Sequence, residues 1–240
     1  MKAFILSAGL GTRLKPMTEN IPKALVEVNG KPLLQSLIEN LKQQGCTDFV
    51  INVHHFADLV IDFLNANQNF GVTIEISDER ETLLDTGGAV LNAKKFLENE
   101  SFFLMHNVDI LSDIDLNEMA KHHVKSGALA TLAVRDRDSG RKFLFDDDLC
   151  LKGWQNVKTN EKILTKTTNE ELTPLAFSGI HIINSEIFKH INQQGKFSIV
   201  ETYLDLAKTF DIRGFPHDND FWLDVGKPQD LEKASIRGKR

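Results

Sequence analysis

The fold is decided at the start of the chain, by the stretch AFILSAGLGTR at residues 3–13. Its first four residues are apolar and predict a buried strand, and Gly9 and Gly11 follow that strand almost at once. Glycines in such a turn bring backbone N–H groups against an anion with no Cβ in the way. Arg13 and, ten residues further on, Lys23 supply positive charge. The stretch therefore predicts a loop that binds phosphate groups, with an ordinary strand-to-helix turn as the alternative.

Two other phosphate-binding motifs do not fit this loop. A Walker P-loop needs a Gly-Lys-Ser/Thr sequence after its glycines, and none follows here. The dinucleotide fingerprint needs a third glycine where this chain has Leu14. It also needs a ribose-binding carboxylate after the next strand, which ends in Val53, His54 and His55 instead. We therefore expect a phosphate-binding loop of a different kind.

The composition excludes several classes of protein. The 240 residues, 41% of them apolar, suffice for one continuous core, and we expect a single domain over residues 1–240. The formal net charge of −6 and the scattered Lys and Arg residues argue against binding to nucleic acid. No apolar run approaches the roughly 20 residues of a membrane span, and no leader segment precedes the first strand. We therefore expect a cytoplasmic protein with no membrane partner, in which Cys46 and Cys150 are reduced.

Strand-like and helix-like apolar patterns alternate along residues 1–134. Apolar residues recur at helical spacing from Leu33 to Leu41, and the run 49–53 predicts the next buried strand. The alternation predicts an α/β fold with a doubly wound, mostly parallel, Rossmann-like sheet. From Arg135 onward, short apolar runs separated by acidic residues predict a smaller mixed or antiparallel region. The later predicted elements are helix 57–67, strand 72–76, helix 88–97, strand 102–105, helix 116–125, strand 129–134, a return to the core at 175–183 and a helix at 199–210.

Two acidic residues are candidates for binding a metal ion. Ligands of open α/β sheets gather beyond the carboxyl ends of the strands. Asp109 follows the predicted strand 102–105, and Asp224 ends another apolar stretch just before Gly226. Two such carboxylates, completed by water and phosphate oxygens, suit Mg²⁺. The alternative is that each carboxylate caps a turn or the helix that follows it.

Three segments together resemble the sugar-1-phosphate nucleotidyltransferases, also called nucleotide-sugar pyrophosphorylases. The first is the Gly-x-Gly-Thr-Arg turn with Lys23 after Pro22, and the second is WLDVG at residues 222–226. The third is DTGGA at residues 85–89, which resembles the family segment that contacts the nucleobase. The resemblance extends to about Leu231 and implies a fold of the nucleotide-diphospho-sugar transferase type. It also implies that residues 1–134 bind the nucleotide and residues 135–240 bind the sugar.

The resemblance implies a role for each residue of the nucleotide side. Arg13 and Lys23 would be the catalytic cations, and Asp109 and Asp224 would bind the catalytic Mg²⁺. Val108 stands where relatives usually have a glycine, which alters the approach to the ribose. The implied nucleotide contacts are Ala8, Gly9, Gly11, Thr12, Thr86, Gly87, Gly88 and Asn107.

Three residues of the second part match positions that contact the sugar phosphate in relatives. Gly179 lies in FSGI at residues 177–180, although a strand glycine is otherwise typical of a bulge or bend. Lys158 falls where many relatives have a Glu-Lys-Pro lysine, but its neighbours differ from that pattern, and a solvated loop lysine is the alternative. Glu201 would contact a sugar hydroxyl, or else lie on a helix surface.

The implied reaction transfers a nucleotidyl group from a nucleoside triphosphate to a sugar-1-phosphate and releases pyrophosphate. Within the family, the short length and the DTGG and WLDVG segments look most like the N-acetylmuramate-1-phosphate uridylyltransferases of peptidoglycan recycling, which implies UTP as the donor. Guanylyltransferases for mannose-1-phosphate or heptose-1-phosphate are the alternative. Two further alternatives are a catalytically silent nucleotide-sugar sensor and a CTP-dependent transferase for phosphocholine. We expect a monomer or a small homo-oligomer.

Overall fold

The structure is a computed structural model that describes residues 1–167 and 171–237. Within those residues, no helix combines the length and the apolar character needed to cross a lipid bilayer. The helices are α1 (Leu33–Gln43), α2 (Ala57–Ala66), α3 (Asp85–Asn92), α4 (Lys94–Leu97), α5 (Leu116–Ser126), α6 (Ile199–Leu206) and α7 (Pro228–Arg237). The strands are β1 (Lys2–Leu6), β2 (Glu27–Val28), β3 (Lys31–Pro32), β4 (Asp48–Val53), β5 (Thr73–Asp78), β6 (Phe102–Asn107), β7 (Ile110–Ser112), β8 (Ala130–Arg135), β9 (Arg141–Phe145), β10 (Leu151–Asn156), β11 (Glu161–Leu164), β12 (Thr173–Asn184), β13 (Ile212–Pro216) and β14 (Trp222–Asp224).

One large sheet runs through the described residues. Its 10 strands follow the order β11-β10-β9-β12-β6-β1-β4-β5, with β8 paired to β12 and β13 paired to β8. Strand β1 is parallel to β4 and β6, β4 is parallel to β5, and β8 is parallel to β13. Strand β12 is antiparallel to β6, β8 and β9. Beyond β9, the sheet continues through the antiparallel strands β10 and β11. The predicted α/β class, with a smaller antiparallel region in the second part, is confirmed.

Helices cover both faces of this sheet, and the central strands are therefore apolar on both faces. Successive side chains of a strand point to opposite faces. In β1, Ala3 and Ile5 join one buried cluster while Phe4 joins the other. The first cluster includes Leu34 of α1, and the second includes Tyr203 of α6. This double burial explains why AFIL has no alternation of polar and apolar residues.

Two helices differ in extent from the sequence prediction. The helix predicted at 88–97 begins at Asp85 and is interrupted at Ala93, whose ψ of 0° does not continue an α-helix. The helix predicted at 199–210 ends at Leu206. Residues 207–210 continue as turns whose N–H groups donate three or four residues back, for example from Ala207 to the carbonyl of Tyr203 at 2.9 Å. These bonds preserve the apolar spacing that predicted the longer helix.

Two irregular features position residues around the end of the sheet. The pairing of β12 with β8 shifts register between Phe177 and His181, and Gly179 there has a φ of 75°. Such a bulge uses the backbone freedom of glycine to turn the strand locally. Separately, β14 pairs with β7 in an antiparallel ladder that sets Asp224 opposite Ile110. A segment near the end of the sequence is thereby brought beside the residues that follow β6.

Candidate active site

A cavity of about 330 Å³, which we name the β1 cavity, opens at the carboxyl ends of β1, β4 and β6. Open α/β sheets bind ligands at this edge. Predicted site residues in its wall are Ala8, Gly9, Lys23, Thr86, Asn107 and Asp109. The other lining residues are Leu6, Asn52, Glu79, Leu83, Asp85, Val108 and Lys196.

The loop after β1 contains two glycines with different surroundings. Gly11 has a φ of 65°, and a Cβ there would lie 2.9 Å from Cγ2 of Thr18. The Thr18 hydroxyl also donates to the Gly11 carbonyl at 2.8 Å. Gly9 lines the β1 cavity, and no atom lies within 4 Å of the position its Cβ would occupy. Gly11 therefore sets the turn, whereas Gly9 leaves open space beside the cavity.

Asn52 of β4 holds the same loop through hydrogen bonds to its backbone. Its Oδ1 accepts hydrogen bonds from the N–H of Ser7 at 2.6 Å and from the N–H of Ala8 at 3.2 Å. Thr12, which the resemblance assigns to the nucleotide, lines a separate pocket beside His55. The structure therefore brings Ala8 to the β1 cavity and places Thr12 elsewhere.

Lys23 and Asp109 form an ion pair at the wall of the β1 cavity. Lys23 begins a short 3-10 turn after Pro22, and Asp109 follows β6. The Lys23 ammonium donates to Oδ2 of Asp109, and only 11% and 13% of the two side chains are exposed. Solvent screens such a pair little, so each charge holds the other in place.

The pairing of β7 with β14 brings Asp224 beside Asp109. The Val225 N–H donates to the Asp109 carbonyl at 2.9 Å, and the Gly226 N–H donates to Oδ1 of Asp224 at 2.8 Å. A Cβ on Gly226 would lie 2.7 Å from both Oδ1 of Asp224 and Nη2 of Arg13. The absence of that atom lets the guanidinium and the carboxylate approach the same point.

The two carboxylates fit a hard divalent cation. Mg²⁺ is usually held by one or two carboxylates, while water and phosphate oxygens take its other positions. Asp109 and Asp224 are oxygen donors of this kind, and the β7–β14 ladder brings their backbones close together. Residues 1–167 and 171–237 contain no group of three or more His, Cys, Asp or Glu side chains arranged to hold a metal. In such a site, the protein would supply the carboxylates of Asp109 and Asp224.

A second cavity of about 700 Å³, which we name the β14 groove, is lined by Arg13 and Asp224. The predicted sugar-phosphate residue Lys158 is also in its wall. Among the described residues, the groove and the β1 cavity have no lining residue in common. The remaining residues of the groove are Arg137, Asp138, Ser139, Gly140, Arg141, Val157, Trp222, Leu223, Lys227 and Asp230.

The glycines at the start of α3 pack against the loop before α6. The N–H groups of Gly87 and Gly88 both donate to the Phe197 carbonyl, at 2.9 and 3.3 Å. A Cβ on Gly87 would overlap the Phe197 ring, and a Cβ on Gly88 would overlap the Gly195 carbonyl. The position of both glycines is therefore explained by packing, and their predicted contact with a nucleobase stays a prediction.

Three further predicted residues have contacts of different kinds. Thr86 lines the β1 cavity, and its hydroxyl accepts from the Ile199 N–H at 3.0 Å. Gly179 packs against Asn107, whose Nδ2 would lie 2.8 Å from a Cβ at that position. Glu201 is exposed on the first turn of α6. The sugar contacts of Gly179 and Glu201 stay predictions.

Sequence reasoning missed two buried polar residues of the β1 cavity. Asn52 and Glu79 are both buried, and Nδ2 of Asn52 donates to Oε1 of Glu79 at 2.9 Å. Burial raises the pKa of the Glu79 carboxyl, while the hydrogen bond from Asn52 opposes that shift. One available signal was the polar Asn52 within the apolar run FVINV, because buried polar groups normally have hydrogen-bond partners.

The chain is similar in sequence to several sugar-1-phosphate nucleotidyltransferases. The D-glycero-alpha-D-manno-heptose 1-phosphate guanylyltransferase of Campylobacter jejuni is 32% identical over 231 residues, which cover 96% of each chain. The N-acetylmuramate alpha-1-phosphate uridylyltransferase of Caulobacter vibrioides is 32% identical over 243 residues, which cover 98% of this chain and 96% of that one. The chain is also 31% identical to a mannose-1-phosphate guanyltransferase of Aspergillus oryzae, but it spans only 62% of that protein's length.

The fold is shared with solved structures. The crystal structure of HddC from Yersinia pseudotuberculosis, complexed with GMP-PN, superimposes with a TM-score of 0.77 at 26% identity and covers 99% of both chains. This match confirms the predicted fold type. The sequence also matches the family described as Nucleotidyl transferase over residues 2–238. Because that match covers nearly all of the sequence, the chain belongs to the nucleotidyl transferase family.

Proposed function

We propose that this protein transfers a nucleotidyl group from a nucleoside triphosphate to a sugar-1-phosphate and releases pyrophosphate. The observation that carries the proposal is the junction between its two cavities. The pair Lys23 and Asp109 lies in the wall of the β1 cavity, Arg13 and Asp224 lie in the wall of the β14 groove, and the β7–β14 ladder joins them. Two anionic substrates, one in each cavity, would meet at cations and carboxylates.

Positioning and charge neutralisation account for such a transfer. A sugar-phosphate oxygen attacks the α-phosphorus in line, a bond from that oxygen to phosphorus forms, and the bond to the leaving pyrophosphate breaks. Lys23 neutralises charge on the attacking phosphate and the α-phosphoryl group, and Arg13 stabilises charge that collects on pyrophosphate. The open space at Gly9 accommodates the triphosphate. No covalent intermediate with the protein is needed.

Asp109 and Asp224 would hold Mg²⁺ in this proposal. When bound, the ion neutralises phosphate charge and fixes the geometry of the phosphate oxygens. Asp109 would then serve both the ion and Lys23, since it already contacts the Lys23 ammonium. Asp224 keeps its orientation through the bond from the Gly226 N–H.

The proposal includes a division of the chain between the two substrates. Apart from Lys196, the residues of the β1 cavity fall within residues 1–134, which we assign to the nucleotide. Apart from Arg13, the residues of the β14 groove fall within residues 135–240, which we assign to the sugar. The single domain of residues 1–240 would thus hold one substrate in each part.

We favour UTP and N-acetylmuramate-1-phosphate as the substrate pair. Glu79 lies in the wall of the β1 cavity, where its carboxyl can accept a hydrogen bond from the N3–H of uracil. A relative with nearly the same length acts on N-acetylmuramate-1-phosphate according to its name. This substrate would place the protein in the recycling of cell-wall sugars.

A guanylyltransferase is the second candidate, because an ionised Glu79 would accept from both N1 and N2 of guanine. A relative of similar length is named for heptose-1-phosphate and guanylyl transfer. A silent nucleotide-sugar sensor is a weaker candidate, because Arg13, Lys23, Asp109 and Asp224 are all present. A test must therefore distinguish nucleotidyl transfer from nucleotide binding alone, and UTP from GTP as the donor.

The test is pyrophosphate release with Mg²⁺ from UTP, GTP, CTP, ATP and dTTP. Each nucleotide is paired with N-acetylmuramate-, mannose-, heptose-, glucose- or N-acetylglucosamine-1-phosphate, and also with phosphocholine. We expect release above background with UTP and N-acetylmuramate-1-phosphate. Release only with GTP and a neutral sugar phosphate would establish the guanylyltransferase instead. Nucleotide binding without release from any pair would establish the sensor, and Asp224→Asn supplies the inactive control.

A further inference from the structure

The Arg137 guanidinium lies over an aromatic ring in the wall of the β14 groove. Its Cζ lies 4.3 Å from the centroid of the Trp222 ring, at a distance typical of a cation–π contact. The bulge of β12 fixes both side chains, because Nη2 of Arg137 donates to the Phe177 carbonyl at 3.0 Å and Nε1 of Trp222 donates to the Ser178 carbonyl at 2.8 Å. Arg137 is therefore preorganised, unlike a lysine or arginine that extends freely into solvent.

This guanidinium forms no ion pair in the part of the chain that the structure describes. An arginine carries five N–H donors, and those of Arg137 make bonds only to the carbonyls of Phe177 and Asp138 there. Its Nε is buried without an acceptor among the same residues. No carboxylate of residues 1–167 or 171–237 lies within the 4.0 Å of an ion pair with it. Partial burial of a charge without an ion-pair partner is unfavourable, so the site favours an incoming anion.

The environment of the groove agrees with an anionic ligand. Arg141, Lys158 and Lys227 add further positive charge to its wall, although the whole chain has a net charge of −6. One groove acid, Asp230, is already paired with Lys233 at 2.8 Å. Burial also lowers the pKa of the Arg137 guanidinium, and the charge of Asp224 opposes that shift. A bound anion would stabilise the charged guanidinium and so oppose the lowering of its pKa by burial.

The 1-phosphate of the acceptor does not account for this cation. In the proposed function, that phosphate meets Lys23 in the wall of the β1 cavity, which Arg137 does not line. Arg137 has its own fixed position on Trp222, and its planar donors suit the two oxygens of a carboxylate. A second anionic group on the sugar would match it.

We propose that Arg137, stacked on Trp222, binds a carboxylate carried by the acceptor sugar, and that it thereby selects acidic sugar-1-phosphates. The proposal rests on the proposed function, since it concerns the acceptor of that reaction. Arg137 is a specificity-determining residue in this account, and Trp222 positions it.

The test compares two acceptors that differ in the second anion. N-acetylmuramate-1-phosphate has a lactyl carboxylate, and N-acetylglucosamine-1-phosphate lacks it. With UTP as donor, kcat/KM is measured for both acceptors in the wild type, Arg137→Met and Arg137→Lys. We expect the wild type to prefer the acidic sugar, and Arg137→Met to reduce that preference about tenfold to a hundredfold, as for the loss of a hydrogen-bonded ion pair. Arg137→Lys keeps the charge but loses the planar donors, and its preference should be intermediate.

Arg135→Lys is the matched control. Arg135 is the last residue of β8, two residues before Arg137, and its guanidinium donates to the carbonyls of Asp218 and Asp220 outside the groove wall. This variant should keep the wild-type ratio between the two acceptors. Turnover of the neutral acceptor by each variant reports that the protein is folded.

Three outcomes would overturn the proposal. An equal loss on both acceptors in Arg137→Met would assign Arg137 to the shared 1-phosphate or to the fold. A wild type that uses both acceptors equally, or that prefers the neutral one, would show that no second anion is selected and would leave the transferase function standing. Absence of turnover with every nucleotide and sugar-1-phosphate would remove the proposed function, and this inference with it.

Discussion

At the scale of single residues, the pair Lys23 and Asp109 carries the most consequence. Each side chain is mostly buried and neutralises the other. If the proposed function is correct, binding of substrates and Mg²⁺ must share Asp109 between two cations. The pair thus maintains a charged group inside the cavity wall while the site is free of ligands.

Asp109→Asn should lower turnover while preserving the fold. The variant keeps an oxygen that can accept from Lys23 but removes the charge, so we expect a loss of turnover on the order of 10²–10³. Loss of the ion pair should reduce the free energy of unfolding by about 1–3 kcal/mol, measured by urea denaturation. Asp62→Asn, on the exposed surface of α2, is the control for the change of charge. Full turnover of Asp109→Asn at saturating Mg²⁺ would refute the assignment.

Two glycines of the loop after β1 should respond differently to the same substitution. Gly9→Ala meets no atom within 4 Å, so its stability should equal or slightly exceed that of the wild type. Its kcat/KM for the nucleotide should fall, because the new methyl group enters the space beside the triphosphate. Gly11→Ala combines a φ of 65° with contact to Thr18. It should lower the free energy of unfolding by about 1–2 kcal/mol, measured by urea denaturation. Equal stability of the two variants would contradict this assignment.

The sequence predicted site residues that belong to recognisable motifs better than those that depend on contacts between distant segments. Arg13, Lys23, Asp109 and Asp224 all belong to such motifs, and all four lie in the walls of the two cavities. Glu79 was missed because its importance arises from a contact with another strand. Neither its spacing nor its neighbours in the sequence indicate that contact.

Arg137 could not be identified as a groove cation from the sequence for a related reason. It occurs in the charged run RDRD at residues 135–138, which is typical of a solvated loop. Its stacking depends on Trp222, which is distant in the sequence and is positioned by pairing with β7. Only the three-dimensional arrangement separates it from Arg135.

At the scale of elements, the contact between α3 and α6 supports one wall of the β1 cavity. The loop before α6 accepts two backbone hydrogen bonds from α3, and its Lys196 lines the cavity. The α6 helix is in turn capped by Ser198, whose hydroxyl accepts from the Val200 N–H at 3.3 Å. Disturbance of α3 should therefore be transmitted to the cavity.

Gly88→Ala should weaken this contact. A Cβ at residue 88 would overlap the backbone carbonyl of Gly195, which cannot move as a flexible side chain does. We expect a loss of about 1–3 kcal/mol in the free energy of unfolding, as for other overpacked cores. Urea denaturation measures the loss, and Gly9→Ala is the control for an alanine without a clash. A stability equal to that of the wild type would mean that α3 and α6 separate easily.

Local patterns predicted most of the helices and strands, but not how all of the strands pair. The alternation up to Val134 correctly indicated the strands β1, β4, β5, β6 and β8. It did not indicate that β12 lies between β6 and β8. That insertion depends on pairing between strands far apart in the sequence, for example Ile182 with Leu104 and Thr131. Periodicity describes one segment at a time and contains no information on such neighbours.

At the scale of the whole molecule, buried neutral histidines make stability depend on pH. Burial lowers the pKa of His106, His123 and His217 to about 4 and that of His181 to about 3, from an ordinary value of 6.5. Between those values the unfolded chain binds more protons than the folded protein. Stability should therefore be complete above about pH 6.5 and fall as the pH decreases towards 4.

Urea denaturation at about pH 7 and about pH 5 measures this effect. Each buried histidine should remove up to roughly 1.4 kcal/mol per pH unit within that window. Glu79 acts in the opposite direction, because its raised pKa lets the folded protein bind a proton first. His123→Gln should flatten the dependence, whereas His55→Gln, on the exposed surface, should leave it unchanged. Equal stability at the two pH values in the wild type would contradict the assignment.

Two predictions at this scale concern the cell and the assembly. We expect a cytoplasmic protein that is a monomer or a small homo-oligomer. Both remain predictions, and fractionation of cells and light scattering are the measurements that address them. The net charge of −6 continues to argue against nucleic acid as a partner.

The separate walls of the two cavities have an evolutionary consequence. In the described residues, the β1 cavity and the β14 groove draw mostly on different stretches of the chain, and the β7–β14 ladder pairs Asp224 of the groove with the residue after Asp109 of the cavity. A change at Glu79 alters one recognition surface, and a change at Arg137 alters the other. Descendants of one ancestral transferase could therefore exchange the base or the sugar one at a time, while the reacting centre between them stayed constant. Such modularity would let a single scaffold diversify without passing through inactive intermediates.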